Sequence, residues 1–220
     1  MLVPKKVSRM KIIGLWKGVV RRAGDSIPGV EYLRSKREAD SLRAWEARGR
    51  SLPTPHAYKR NRVFQVAREH GCDTLIETGT LVGDMVRAAL PHFNAIHSIE
   101  LSPSLAAQCR LRFAGIRKVT IHEGDSGVLL PGLARDVHGV AVLWLDAHYS
   151  AGPTARGTDD TPIVRELRGV AGTRHPILID DAHLFVGRDG YPTVEEMRVL
   201  TRELFPRARL AVVGNVIEIL

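Results

Sequence analysis

From residue 74 onward, short apolar, β-branched runs alternate with amphipathic stretches, and this alternation narrows what the chain can fold into. The runs are 74–77, 95–101, 119–123, 140–145, 176–179, 209–213 and 216–220. Helical patterns lie between them near 82–90, 103–114, 126–136, 160–170 and 193–204. Strands alternating with helices predict βαβ units, right-handed crossovers and a mostly parallel, doubly wound α/β sheet of the Rossmann-like class. Only Gly214-Asn215 separates the last two runs, which predicts a tight hairpin and an antiparallel last strand.

The first 56 residues read differently. Residues 1–24 hold seven Lys or Arg and no acid, and Met10, Ile13, Trp16 and Val20 share one helical face. Such a basic amphipathic segment suits peripheral contact with an anionic membrane, or packing on its own domain or on a second copy in a homodimer. A helix is expected near 38–48, then a linker ending in Ser51-Leu52-Pro53-Thr54-Pro55, then a helix over 57–70 stopped by Gly71. The division is thus a basic helical extension over 1–56 and a catalytic-type α/β domain over 57–220.

Charge follows that division. Residues 1–70 carry 17 Lys and Arg against 6 acids, whereas the remainder is slightly acidic, although the whole chain is +8. A uniform basic groove is therefore absent, and nucleic acid is not the expected partner. No apolar run is long enough to span a bilayer, and the N-terminus lacks the apolar core of a secretory signal, which predicts a cytoplasmic location. Cys72 and Cys109 cannot build a disulfide framework or a cysteine-rich zinc site and read as buried thiols in a reducing compartment.

Two kinds of residue carry the chemistry. Glu77-Thr78-Gly79-Thr80-Leu81-Val82-Gly83 follows the first strand and opens a helix. Gly79 permits close backbone approach to a ligand, and Gly83 lets the helix pack closely on the sheet. A dinucleotide fingerprint is excluded by Leu81, which replaces its second glycine, and a P-loop by the lack of Lys-Ser/Thr after Gly83. The second kind is a series of acids at strand ends: Glu77, Glu100, Asp125, Asp146 and Asp180-Asp181. One such acid is often only a helix N-cap, and Asp125 fits that role as well. Five ends in succession place acids on one rim of a parallel sheet, where repulsion calls for a cationic ligand or a metal ion.

The order Glu77-x-Gly79, Glu100, Gly124-Asp125, Asp146 resembles the class I S-adenosylmethionine-dependent methyltransferases over residues 57–220. ETGTLVGDM, SIELS, GDS, LWLDAHYSAG and ILIDDAH are similar to a group linked to sugar and natural-product modification. The resemblance implies a seven-stranded sheet with an antiparallel last strand and S-adenosylmethionine as cofactor. It assigns Glu77, Thr78, Gly79 and Gly83 to the methionine end, Glu100 with Leu101 to the ribose, and Asp125 with Ser126 to the adenine, with Asp146 beside them.

For the transfer itself, two devices are open. His148 or His183, each just past a strand end, is placed to act as a base with Asp146 nearby. Alternatively Asp146, Asp180 and Asp181 bind Mg²⁺ and acidify an acceptor hydroxyl. The polar loop 150–161 suits a lid over the acceptor. The other histidines, His56, His70, His92, His97, His122, His138 and His175, show no ligand spacing. The leading expectation is O-methylation of a small molecule or glycan. The alternatives are an RNA or protein methyltransferase that docks substrate through the basic segment, and a non-catalytic binding module of the same fold.

Overall fold

A computed structural model describes residues 28–146 and 161–220. The segment 1–27, with its amphipathic pattern, and residues 147–160, with His148 and nearly all of the expected lid, lie outside the described residues.

Seven strands form one sheet in the order β3-β2-β1-β4-β5-β7-β6. They are β1 Thr74–Thr78, β2 Ala95–Glu100, β3 Val119–Glu123, β4 Ala141–Leu145, β5 Ile177–Ile179, β6 Leu210–Val213 and β7 Val216–Ile219. Each falls within two residues of its sequence-predicted run. β7 pairs antiparallel with both β5 and β6, while β1 to β5 pair in parallel. The hairpin follows from Gly214, whose φ of 63° is the left-handed conformation that the tight turn requires.

Helices cover both faces. α2 His56–Glu69, α3 Asp84–Ala89 and α4 Pro103–Arg112 lie on one; α5 Ser126–Asp136, α6 Ile163–Gly169 and α7 Val194–Leu204 lie on the other. Alternate strand residues feed the two cores. Leu75, Val142 and Trp144 join Val63, Val66, Val86 and Phe113, whereas Ile76 and Leu143 join Leu130, Leu167 and Met197. With helices on both sides, every residue of β1 and β4 is buried, which explains why these strands read as unbroken apolar runs. A capping box between Thr193 and Glu196 starts α7.

α1 spans Pro28–Ala47 and begins ten residues earlier than the sequence pattern predicts. Proline at the first helical position costs nothing, because its missing N–H would have had no partner there. α1 docks on α2 through Trp45, which is buried, meets the Tyr58 ring at a tilt with centroids 4.7 Å apart and donates its indole N–H to the Ser51 carbonyl at 2.8 Å. Arg60 on α2 reaches Glu38 on α1 at 2.7 Å. α2 is tied in turn to β7, where Arg62 donates to both oxygens of the buried Glu218.

The chain leaves β1 toward β2 and β3, then crosses back to β4 on the far side of β1. The carboxyl ends of β1 and β4 therefore flank the point where strand order reverses, the usual ligand position in an open α/β sheet.

Candidate active site

The turn after β1 is set by left-handed residues at three alternate positions, Gly79 (φ 87°), Leu81 (φ 49°) and Gly83 (φ 75°). It is laced to β2, with Gly79 N–H donating to the Ile99 carbonyl at 2.9 Å. Gly83 is needed for a reason other than the expected approach to the sheet. A Cβ there would lie 2.5 Å from the Phe113 ring, at the end of α4. Replacing Gly83 with alanine is expected to cost about 2–4 kcal/mol, from the left-handed backbone and the clash together. Thermal denaturation checks this, and an unchanged Tm would mean that the turn is not built this way.

Glu100 holds the turn from the opposite strand. One carboxylate oxygen accepts from the Leu81 N–H at 2.8 Å and the other from the Ser102 N–H at 2.9 Å. Its carboxylate is buried, and each oxygen keeps a lone pair for a ligand. Leu101, beside it, is exposed. Glu77 sits beneath the turn. The Ser98 hydroxyl donates to Glu77 at 2.5 Å and itself bonds Thr80 Oγ1 at 2.6 Å. Burial drives the Glu77 pKa well above the ordinary range. The Ser98 bond opposes this, while the charges of Asp146, Glu100 and Asp84 add to it. The rim is thus a site of concentrated negative potential around a carboxyl that resists ionisation.

Thr78 closes β1, and both its carbonyl and its hydroxyl accept from the Asp146 N–H, at 3.1 and 3.3 Å. This brings Asp146, just past β4, alongside the end of β1. Asp125 lies further along, past β3. It caps α5 by accepting from Gly127 N–H at 2.8 Å and pairs with Arg165 at 3.0 Å, so an adenine amino group would share a carboxylate already engaged. Ser126 is buried at the same helix start.

Glu166 escaped the sequence reading. Burial pushes its pKa up to about 7, while hydrogen bonds from Ser126 and Thr78 hold it back. One of its carboxylate oxygens is buried without a hydrogen-bond partner among the described residues. The only available signal was an acid on the inward side of α6 between Ile163 and Leu167, both of which are buried.

The carboxylates at the end of β5 do not fit the metal expectation. Lys59 of α2 places its ammonium between them, 2.6 Å from Asp180 Oδ1 and 2.8 Å from Asp181 Oδ1. An ammonium and a divalent ion cannot occupy one position. Among the described residues, no group of three or more His, Cys, Asp or Glu side chains is arranged to hold a metal ion. Lys59 was missed as well, although its place one turn before Val63 on the buried stripe of α2 signals a buried partner.

Asn215 extends this cluster from the β6–β7 hairpin. Its Nδ2 donates to Asp181 at 2.9 Å, which orients the amide so that Oδ1 accepts from His183 N–H at 2.9 Å and from His183 Nδ1 at 3.1 Å. Oδ1 can only accept, so Nδ1 carries the hydrogen and Nε2 becomes the basic nitrogen of the ring. Tyr191 packs edge-on against Phe185 at 5.2 Å; burial, with Asp181 and Asp146, pushes its phenol up to about 12, so it stays protonated.

No protein-family model matches the sequence, and no curated protein matches it. Solved structures do match in shape. A Podospora anserina methyltransferase, PaMTH1, bound to S-adenosylhomocysteine, is 16% identical, with 87% of this chain and 94% of that one covered at a TM-score of 0.51. A putative caffeoyl-CoA O-methyltransferase from Staphylococcus aureus is 14% identical, covering 88% and 99% at 0.51. The methyltransferase domain of bacterial CtHen1 is 11% identical, covering 73% and 95% at 0.51. Together with the strand order and the antiparallel seventh strand, these likenesses give this chain the fold of the class I S-adenosylmethionine-dependent methyltransferases.

Proposed function

We propose that the chain binds S-adenosylmethionine and transfers its methyl group to a hydroxyl of a small molecule or glycan. The observation that carries this reading is the β1 turn, with Glu77 buried beneath it and Glu100 clamped across it. Glu77 lies among Asp146, Glu100 and Asp84 with a hydroxyl as its donor, a surrounding that a ligand bearing ammonium and sulfonium charge would complement. Bound there, S-adenosylmethionine supplies an electrophilic methyl. Glu100 would take the ribose hydroxyls on its remaining lone pairs, and Asp125 and Ser126 would border the adenine. The S-adenosylhomocysteine in the Podospora structure and the likeness of the Staphylococcus protein, a putative O-methyltransferase, favour the same reading.

A hydroxyl must lose its proton as it attacks. His183, past β5, presents Nε2 as the basic nitrogen because Asn215 holds the ring hydrogen on Nδ1, and we assign it the role of base with Asp146 just past the neighbouring strand. The test is transfer from methyl-labelled cofactor onto a panel of hydroxyl and amine acceptors. Label recovered as a methyl ether supports the reading, and label found only on nitrogen overturns the hydroxyl assignment.

The buried acid makes cofactor binding depend on pH. With its pKa raised, Glu77 is protonated over a range where an ordinary carboxyl is ionised. A cationic ligand favours the ionised form, so binding expels the proton. Affinity should therefore rise as pH increases above the ordinary carboxyl range and level off once Glu77 ionises in the free protein. Titrations in buffers of different ionisation enthalpy measure the proton directly. Affinity that is flat with pH, with no proton released, would contradict the role given to Glu77.

A further inference from the structure

The carboxylates that end β5 are already supplied with a cation from inside the chain. Lys59 projects from the first turn of α2, and its side chain is only 7% exposed. A lysine this buried needs partners, and Asp180 and Asp181 provide them. We propose that Lys59 is the resident cation of the acceptor side: its ammonium takes the place a divalent ion would need and holds the Asp181–Asn215–His183 chain in register without a metal. Lys59 is thus a positioning residue, and its part in catalysis rests on the methyltransferase reading above.

Three observations support this. The ammonium is the shared partner of both acids, at 2.6 and 2.8 Å, so it sits where a bridging ion would sit. Asp181 Oδ1 accepts from Lys59 and from Asn215 Nδ2 at once, which makes the lysine the first link of the chain that ends at His183. Asp181 also adopts a left-handed conformation (φ 51°), and the next residue's N–H, from Ala182, donates to the Asn215 carbonyl at 2.9 Å, so backbone and side chain both join β5's end to the Asn215 hairpin.

The lysine also stays charged. Burial alone would lower its pKa, but Asp180 and then Asp181 outweigh burial and raise it. Displacing it by a metal would mean expelling an ammonium from two bonded carboxylates and swinging it past the buried face of α2. A hard divalent ion prefers several oxygen ligands, and an ammonium in their midst repels it.

The experiment is Mn²⁺ binding followed by electron paramagnetic resonance on the full chain, without cofactor or acceptor. Wild type is expected to leave the free-ion signal unchanged at millimolar Mn²⁺. Lys59→Ala opens the acid pair and should take up one ion per chain, with a rise in Tm on adding Mn²⁺. Lys59→Arg keeps the charge and should refuse the ion as wild type does. One Mn²⁺ bound to wild type and lost in Asp180→Asn would overturn the proposal, as would a folded Lys59→Ala that binds no ion. Should Lys59→Ala fail to fold, the wild-type, Lys59→Arg and Asp180→Asn measurements decide alone. Failure here leaves cofactor binding untouched, so it is distinguishable from failure of the methyltransferase reading.

Discussion

Replacing Lys59 with methionine is expected to destabilise the fold by about 3–5 kcal/mol at neutral pH, the usual cost of leaving a buried charge without its partner. For a domain of this size, that lowers Tm by roughly 10 °C. The methionine fills the lysine's volume, so the loss is electrostatic and not a cavity. Its pH dependence has a definite sign. Burial, then Asp146, raises the Asp180 pKa, and Lys59 draws it down. Without Lys59 the folded-state pKa rises further. A raised carboxyl pKa costs nothing when the group is protonated in both states and costs progressively more as pH climbs above its unfolded value. The deficit should therefore be small in acid and grow toward neutrality. Adding Asp180→Asn to the variant should recover part of it. A Tm within a degree or two of wild type at neutral pH would mean that the pair is solvated.

The second large effect concerns the cofactor. Glu100→Gln keeps the side chain's shape but turns one acceptor into a donor, which then faces the N–H of either Leu81 or Ser102. It also weakens the bonds expected to the ribose. A hydrogen bond to a charged group contributes about 1.5–3 kcal/mol, so affinity should fall roughly 10- to 100-fold. Because both molecules carry the ribose, S-adenosylmethionine and S-adenosylhomocysteine should weaken alike. Unchanged affinity would leave Glu100 as a staple for the turn and nothing more.

What the sequence made legible, and what it hid, divides along the range of the interactions. Strand periods and turn chemistry are local, so the seven strands, the Gly214-Asn215 hairpin and the acids at strand ends could all be read in advance. Parallel pairing then brought Thr78 beside Leu145, and Leu145 beside Ile179, which collects Glu77, Asp146 and Asp180 on one rim. The pairing partners of those acids were not legible. Lys59 and Asp181 are 122 positions apart, and nothing in the local pattern of ILIDDAH announces an ammonium from an earlier helix. The expectation of Mg²⁺ at Asp146, Asp180 and Asp181 arose from seeing the acids without the lysine. Asn215 shows the same limit, since its turn role was evident while its side-chain role depends on β7 lying beside β5. The early start of α1 has a simpler cause: Pro28 stands at the helix's first position, where proline is an initiator.

We propose that the carboxyl ends of β1 and β2 accept a cationic adenosine compound. Calorimetric titration of the full chain with S-adenosylmethionine decides the matter. Saturable binding of one ligand per chain, with release of a proton and a clear loss in Glu100→Gln, is the expected result. No heat of binding from either S-adenosylmethionine or S-adenosylhomocysteine across the neutral pH range would contradict it.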